Sequence, residues 1–143
     1  MHSLRDPLNL GSIIRSAAAF GVEHIVMTDD CADIYNPKTV RSAMGSLFKI
    51  PNISVVADIH SFIRIARMNG RRVYSAELNP DAISLDNVTL SKTDLVIIGN
   101  EGHGIPQDVS KECDSAIYIP ISSMTESLNA SVAAAIFMWE LRK

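Results

Sequence analysis

The sequence predicts an α/β domain: a mainly parallel sheet with helices on both faces. Three observations predict it. Short strand-like apolar runs recur at 23–28 ("EHIVMT"), 71–78 ("RRVYSAEL"), 94–99 ("DLVIIG") and 115–120 ("SAIYIP"). Helix-like stretches separate them, and strands alternating with helices are the signature of a parallel α/β sheet. The 143 residues hold no repeat, low-complexity tract or linker, so one domain with a sizeable core is the simplest organisation.

Taken in order, "MHSLRDP" leaves almost no room for a strand ahead of the first helix, as a trimmed chain or a piece of a longer protein would show. In "LGSIIRSAAAF" the apolar positions 10, 13, 14, 17 and 18 follow the helical template, which puts Arg15 off the stripe at an edge able to face a ligand. The start of that helix reads either as Asp6 capping with Pro7 first, or as an Asn9 cap. "DIHSFIRIARMNG" (58–70) is a second helix closed by Gly70. The last helix, within "TESLNASVAAAIFMWELRK", carries Leu128, Val132, Ala135, Ile136 and Trp139 on one side. It opens with Ser127, Asn129 and Ser131, types that favour caps over helix interiors. Ser123 and Glu126 have the spacing of a capping box, which leaves Ser127 and Asn129 unexplained.

Composition excludes several classes. Hydrophobic residues make up 47% and charged residues 20%, as in ordinary soluble proteins. There is no run of 18 apolar residues and no leader pattern, so a soluble cytoplasmic protein without a membrane partner is expected. Cys31 and Cys113 stand far apart without a CxxC partner, and His2, His24, His60 and His103 are scattered, so neither a metal site nor a disulfide framework is expected. A net charge of −3 means that an RNA partner would have to be held by local patches. Two patches offer themselves: Arg64, Arg67 and Arg71 at helical spacing beside Arg72, a pattern typical of a solvated face, and Arg5, Lys38, Arg41 and Lys49 around the first of the candidate stretches in sequence.

Three stretches, the first two with glycine, combine small polar residues and an ionisable group where α/β sheets bind ligands. They are "DPLNLGSIIR" (6–15), "VIIGNEGHGIP" (96–106) and "IPISSMTESLNAS" (119–131). The second is not GxGxxG and has no Lys-Ser/Thr after it, which disfavours a phosphate loop and a dinucleotide-dependent dehydrogenase.

In order and spacing, "DPLNLGSIIRSAAAFGV", "LVIIGNEGHGI" and "IPISSMTESLNASVAAAI" resemble the three motifs of the SpoU (TrmH-like) RNA 2′-O-ribose methyltransferases of the SPOUT superfamily. "VRSAMGSLFKIP" (40–51) resembles that branch's small-residue stretch. The resemblance implies a single catalytic domain over 1–143, without the accessory N-terminal RNA-binding domain that many relatives carry. It also implies a C-terminal deep trefoil knot, which general rules of chain topology would not suggest.

The implied cofactor is S-adenosylmethionine, wrapped by Ile98, Gly99, Asn100, Gly102, Gly104, Ile119, Ile121, Ser127 and Leu128. The implied catalytic set is Arg15, Asn9, Glu101, Ser127 and Asn129. Asn9 and Asn129 would hold Arg15 or the ribose, and Glu101 would order its turn and pair with Arg15 or its dimer mate. The implied partners are RNA, ribosomal in preference to transfer, and a second copy of the chain. Trp139 would belong either to the core or to that dimer contact. Ser123 stands where many members carry glycine, and Ile121 where methionine is common. The rival readings are a non-catalytic cofactor- or RNA-binding module and a SPOUT enzyme that methylates a base.

Overall fold

A computed structural model of the chain describes residues 1–143. Asp6 opens helix α1 (Pro7–Ala19): its Oδ1 accepts from the Leu8 amide at 2.9 Å while Pro7 fills the first helical position. The buried stripe of α1 includes Leu10, Ile13, Ile14 and Ala17, as the periodicity predicts. Strand β1 (His24–Thr28) follows and pairs in parallel with β2 (Asn52–Val56). Between them lie α2 (Pro37–Ala43) and a 3-10 turn over Ser46–Lys49.

Helix α3 (Ile59–Met68) buries Ile59, Ile63 and Ala66. Gly70 ends it at φ +75, with its amide bonded to the Arg67 carbonyl, so the predicted glycine stop is present. The rest of the sheet is formed by β3 (Val73–Ala76), β4 (Ile83–Ser84), β5 (Leu95–Ile97) and β6 (Ser115–Tyr118). These pair in the order β4-β6-β3-β5, all parallel. The short helix α4 (Gln107–Glu112) precedes β6, and α5 (Ala130–Leu141) ends the chain.

The first residues do the work of the missing strand. The Met1 amino group donates to the Val26 carbonyl at 2.6 Å and the Thr28 amide to the Met1 carbonyl, while the His2 amide donates to the Ile98 carbonyl at 2.9 Å. This alternation joins β1 on one side to the end of β5 on the other.

Helices do cover both faces, and alternation along the strands shows it. Tyr74 and Ile98 face the main core with α1 and α5, whereas Val73 and Ile97 face a second core with α3 and α4.

Two readings left open by the sequence are decided at the C-terminus. Helix α5 begins only at Ala130 and turns Ala134, Phe137 and Met138 inward, so the stripe through Val132 and Trp139 lies outward, 48% and 47% exposed. Trp139 is therefore not core: it sets an edge against Phe20 at 5.8 Å and lies under the Arg142 guanidinium. The helix is apolar nearly all round, so periodicity could not choose its inner face. Nor does the capping box form. Ser123 lies in a turn where the Met124 amide bonds Ser122 Oγ, and Asn129 is the cap instead. No helix is long and apolar enough to cross a membrane.

Candidate active site

The three stretches meet at one chain of hydrogen bonds. Asn9, buried on the first turn of α1, donates through Nδ2 to Glu101 Oε1 at 3.2 Å and accepts at Oδ1 from Asn129 Nδ2 at 3.0 Å. Asn129 Oδ1 in turn accepts from the amide and the hydroxyl of Ser131 at 2.9 and 2.6 Å. The direction of this chain is dictated at both ends. An ionised carboxylate can only accept, so Asn9 must turn its NH2 to Glu101; its carbonyl then faces Asn129, whose own carbonyl is left for the α5 amide.

Glu101 closes the site on α1 as well. Its oxygens accept from the Arg5 and Asp6 amides at 3.3 and 3.1 Å, which places a negative charge at a helix N-terminus. Partial burial pulls this carboxyl upward, but hydrogen bonds from its own backbone amide, Asn9, Asp6 and Arg5 outweigh it. The net shift lies below the ordinary 4.5.

The turn carrying Glu101 is shaped from within. Asn100 and Gly104 exchange backbone hydrogen bonds at 3.0 and 2.9 Å. Asn100 Nδ2 donates to the Ser3 carbonyl at 2.7 Å, and Asn100 Oδ1 accepts from the Gly102 and His103 amides. Both ends of its side chain are thus engaged inside the chain, which makes Asn100 a shaper of the turn. Gly104 sits at φ +68, and a Cβ on Gly99 would lie 2.5 Å from the Gly104 carbonyl. Two of the three glycines answer to this turn's own geometry; Gly102 has room for a Cβ.

The loop from Ile121 to Leu128 has the opposite character. Within it only the Met124 and Thr125 amides find acceptors in the chain, both on Ser122, and most of its residues are exposed. Ser127 is exposed, and its carbonyl accepts from Thr125 Oγ1. Ile98 is buried, Ile119 and Leu128 are half-buried and Ile121 is exposed. Beside the Asn129 junction, then, stands a run of free backbone donors and acceptors with apolar side chains at its ends. That set suits a ligand held largely by main-chain groups next to an apolar moiety.

Arg15 stands apart from the network. It is exposed on α1, six residues beyond Asn9, and makes no hydrogen bond or ion pair within the chain. The expected contacts of Arg15 with Glu101, Asn9 and Asn129 are therefore absent within one chain: the carboxylate answers to the α1 amides and Asn9 instead.

Sequence reasoning also passed over Gly11. A Cβ there would lie 2.5 Å from the Thr39 carbonyl and 2.6 Å from Ser42 Cβ, so Gly11 lets α2 press against α1. Ser42 Oγ seals the contact on the Leu8 carbonyl at 2.9 Å. The signal was present as small residues in both segments, "LGS" and "RSAMG".

Residues 1–139 match the SpoU rRNA Methylase family. The 23S rRNA (guanosine(2553)-2'-O)-methyltransferase RlmP of Bacillus subtilis is 37% identical over 140 residues, covering 98% of this chain and 55% of its own length. The 23S rRNA (uridine(2479)-2'-O)-methyltransferase of Streptomyces viridochromogenes is 33% identical over 141 residues, covering 94% and 48%. Among solved structures, the AdoMet-bound rRNA methyltransferase of Sinorhizobium meliloti superimposes with a TM-score of 0.87 at 33% identity, covering 97% of this chain and 52% of that one. The SpoU methyltransferase AviRb of Streptomyces viridochromogenes, in complex with the cofactor AdoMet, gives 0.83 at 32% identity, covering 97% and 56%. The chain spans about half the length of the curated relatives it matches.

Proposed function

The chain belongs to the SpoU rRNA Methylase family, and from that premise we propose that it methylates a ribose 2′-hydroxyl of RNA, ribosomal RNA in preference to transfer RNA, with S-adenosylmethionine as donor. The observation that carries this reading is the Asn129–Asn9–Glu101 chain, which ties the entrances of three motif segments to one point. The preference for ribosomal RNA follows the names of the relatives at 37% and 33% identity.

Bound S-adenosylmethionine supplies an electrophilic methyl carbon. The protein's part is to hold the hydroxyl in line and stabilise the charge that develops as its proton leaves. In this reading the turn at 99–104 and the loop at 119–128 hold the cofactor, chiefly through backbone groups. Arg15 is exposed and free of any acidic partner, and an arginine stays protonated. Those properties suit it to fixing the neighbouring phosphate and the developing oxyanion.

In this reading a homodimer accounts for its lack of any bond to the Asn9 network. Leu8 on α1 and Val132 and Trp139 on α5 form exposed apolar positions around Arg15's helix, so a second copy packed there would receive Arg15 at its own cofactor loops. The reading includes the C-terminal knot. Strand β6 inserts between β3 and β4 although it follows both in sequence, a crossover that such threading needs.

The test is to incubate the protein with labelled S-adenosylmethionine and unmodified ribosomal and transfer RNA pools, then digest to nucleosides. The expected product is a 2′-O-methylnucleoside from ribosomal RNA, absent with Arg15→Ala. A labelled base would assign base methylation, and cofactor binding without transfer would mean either that RNA recognition needs a further domain or that this is a non-catalytic module, which the same assay with a recognition domain restored separates.

A further inference from the structure

The two basic patches offered by the sequence differ in what their cations already do. Arg64 lies 3.8 Å from Glu112, Arg67 pairs with Asp114 at 3.0 Å, and Arg72 forks onto buried Asp94 at 2.6 and 3.0 Å. Within that stripe only Arg71 is left without an acidic partner. Lys38, Arg41 and Lys49 are exposed and form no ion pair at all.

The same segment that bears these free cations forms an apolar groove of about 200 Å³, lined by Ile34, Tyr35, Leu47, Phe48, Ile50 and Ile53. Two aromatic rings stand at it largely in solvent: Tyr35 is 69% and Phe48 79% exposed. The platform is fixed, because α2 is clamped to α1 at Gly11 and Ser42. Met44 and Gly45, both left-handed at φ 50 and 78, make the sharp turn that leads into Phe48. The nearby Asp33 accepts from the Tyr35 amide at Oδ1 and pairs with none of these three cations.

We propose that this face receives an unpaired nucleotide of the RNA substrate, its base stacking on Phe48 and Tyr35 while flanking phosphates meet Lys38, Arg41 and Lys49. The proposal rests on the RNA reading above and names where that RNA is gripped. Stacking on an exposed ring needs a base free of its own helix, which selects single-stranded or looped RNA over duplex. The unneutralised cations favour a polyanion. A second copy meeting this face symmetrically would instead bring the same three positive charges together.

The test is fluorescence anisotropy with the intact chain and three labelled probes of equal length: a single-stranded oligoribonucleotide, an abasic strand and a duplex. Phe48→Ala and Tyr35→Ala are each expected to weaken single-strand binding by about 5- to 150-fold while leaving the abasic strand unaffected. Lys38→Ala, Arg41→Ala and Lys49→Ala should weaken both, each lowering the salt slope by about 0.7. Phe48→Trp should retain affinity and be quenched on titration beyond the Trp139 background of the unaltered chain.

Wild-type affinity in both aromatic variants, equal weakening toward the abasic strand, or no single-strand binding by the unaltered chain would each overturn the proposal. So would a changed sedimentation state with unchanged RNA affinity, which would assign the face to a second copy. An S-adenosylmethionine titration beside each arm separates the failures: binding that persists leaves the enzyme reading intact, and its loss in the unaltered chain would remove both.

Discussion

Replacing Asn9 by Asp keeps the shape of the side chain and changes one thing, the group that faces Glu101. Asn9 Nδ2 donates to Glu101 Oε1 at 3.2 Å, and the substitution puts a second acceptor there with its own charge. The acceptor for Asn129 Nδ2 is retained. Losing a hydrogen bond to a charged group removes about 1.5 kcal/mol. Two unit charges at that separation repel by about 1.3 kcal/mol in bulk water and about 5 kcal/mol at an effective dielectric of 20; with Glu101 exposed, the lower part of that range applies. The expected deficit near neutral pH is therefore about 3 kcal/mol.

Its pH dependence has a definite sign. The new carboxyl would be held above its unfolded value by Glu101, so the folded variant binds a proton more readily than the unfolded chain and recovers stability as pH falls. The wild type moves the other way, because the depressed Glu101 carboxyl stabilises it above 4.5 and loses that contribution as pH falls through the lower folded value. The gap should narrow from both sides on acidification. Urea denaturation followed by far-UV circular dichroism at neutral and acid pH, at one protein concentration, measures it. A deficit below about 1 kcal/mol at neutral pH, or one unchanged in acid, would refute the Asn9–Glu101 contact as the cause.

Glu101→Gln should flatten wild-type acid sensitivity, being less stable than the wild type above 4.5 and converging with it below, as thermal midpoints across pH would show. Arg15→Ala should lower transfer at least a hundredfold yet shift stability by no more than about 0.5 kcal/mol, since that side chain is exposed and makes no hydrogen bond or ion pair in its own chain. If the site is shared, mixed dimers of Arg15→Ala with Asn129→Ala should recover transfer that neither variant has alone, measured after co-refolding. Gly11→Ala should destabilise by about 1–3 kcal/mol through overpacking against the Thr39 carbonyl and Ser42, read as a lower urea midpoint with an unchanged slope.

What the sequence could disclose of the fold follows from how one-sided each element is. Helices α1 and α3 have a wet face and a dry face, and their buried residues fall where the periodicity puts them. Strand β2 was invisible because Asn52 and Ser54 interrupt an edge strand that buries none of its residues fully. Helices α2 and α4, of 7 and 6 residues, are too short for periodicity to register. The site was legible as an ordered set of small polar residues in apolar surroundings, since Asn9, Glu101 and Asn129 have no reason of composition to stand there. Their partners were not legible. Asn9 lies 92 residues from Glu101 and 120 from Asn129, and charge alone would have matched Glu101 with Arg15.

That mismatch has a physical logic. A carboxylate ordering a turn does best where N–H groups converge, and the N-terminus of α1 supplies the Arg5 and Asp6 amides. Had Glu101 taken Arg15 instead, those amides would depend on water, and in the role proposed for Arg15 the guanidinium would meet RNA with its charge already answered. Receiving a phosphate would then require breaking an ion pair as well as stripping water. Keeping the ordering carboxylate and the cation on separate contacts leaves Arg15 exposed and without an acidic partner in its own chain. Asn9 makes this separation possible: its amide carries the Glu101 polarity on to Asn129 and the start of α5, joining three segments without recruiting the cation.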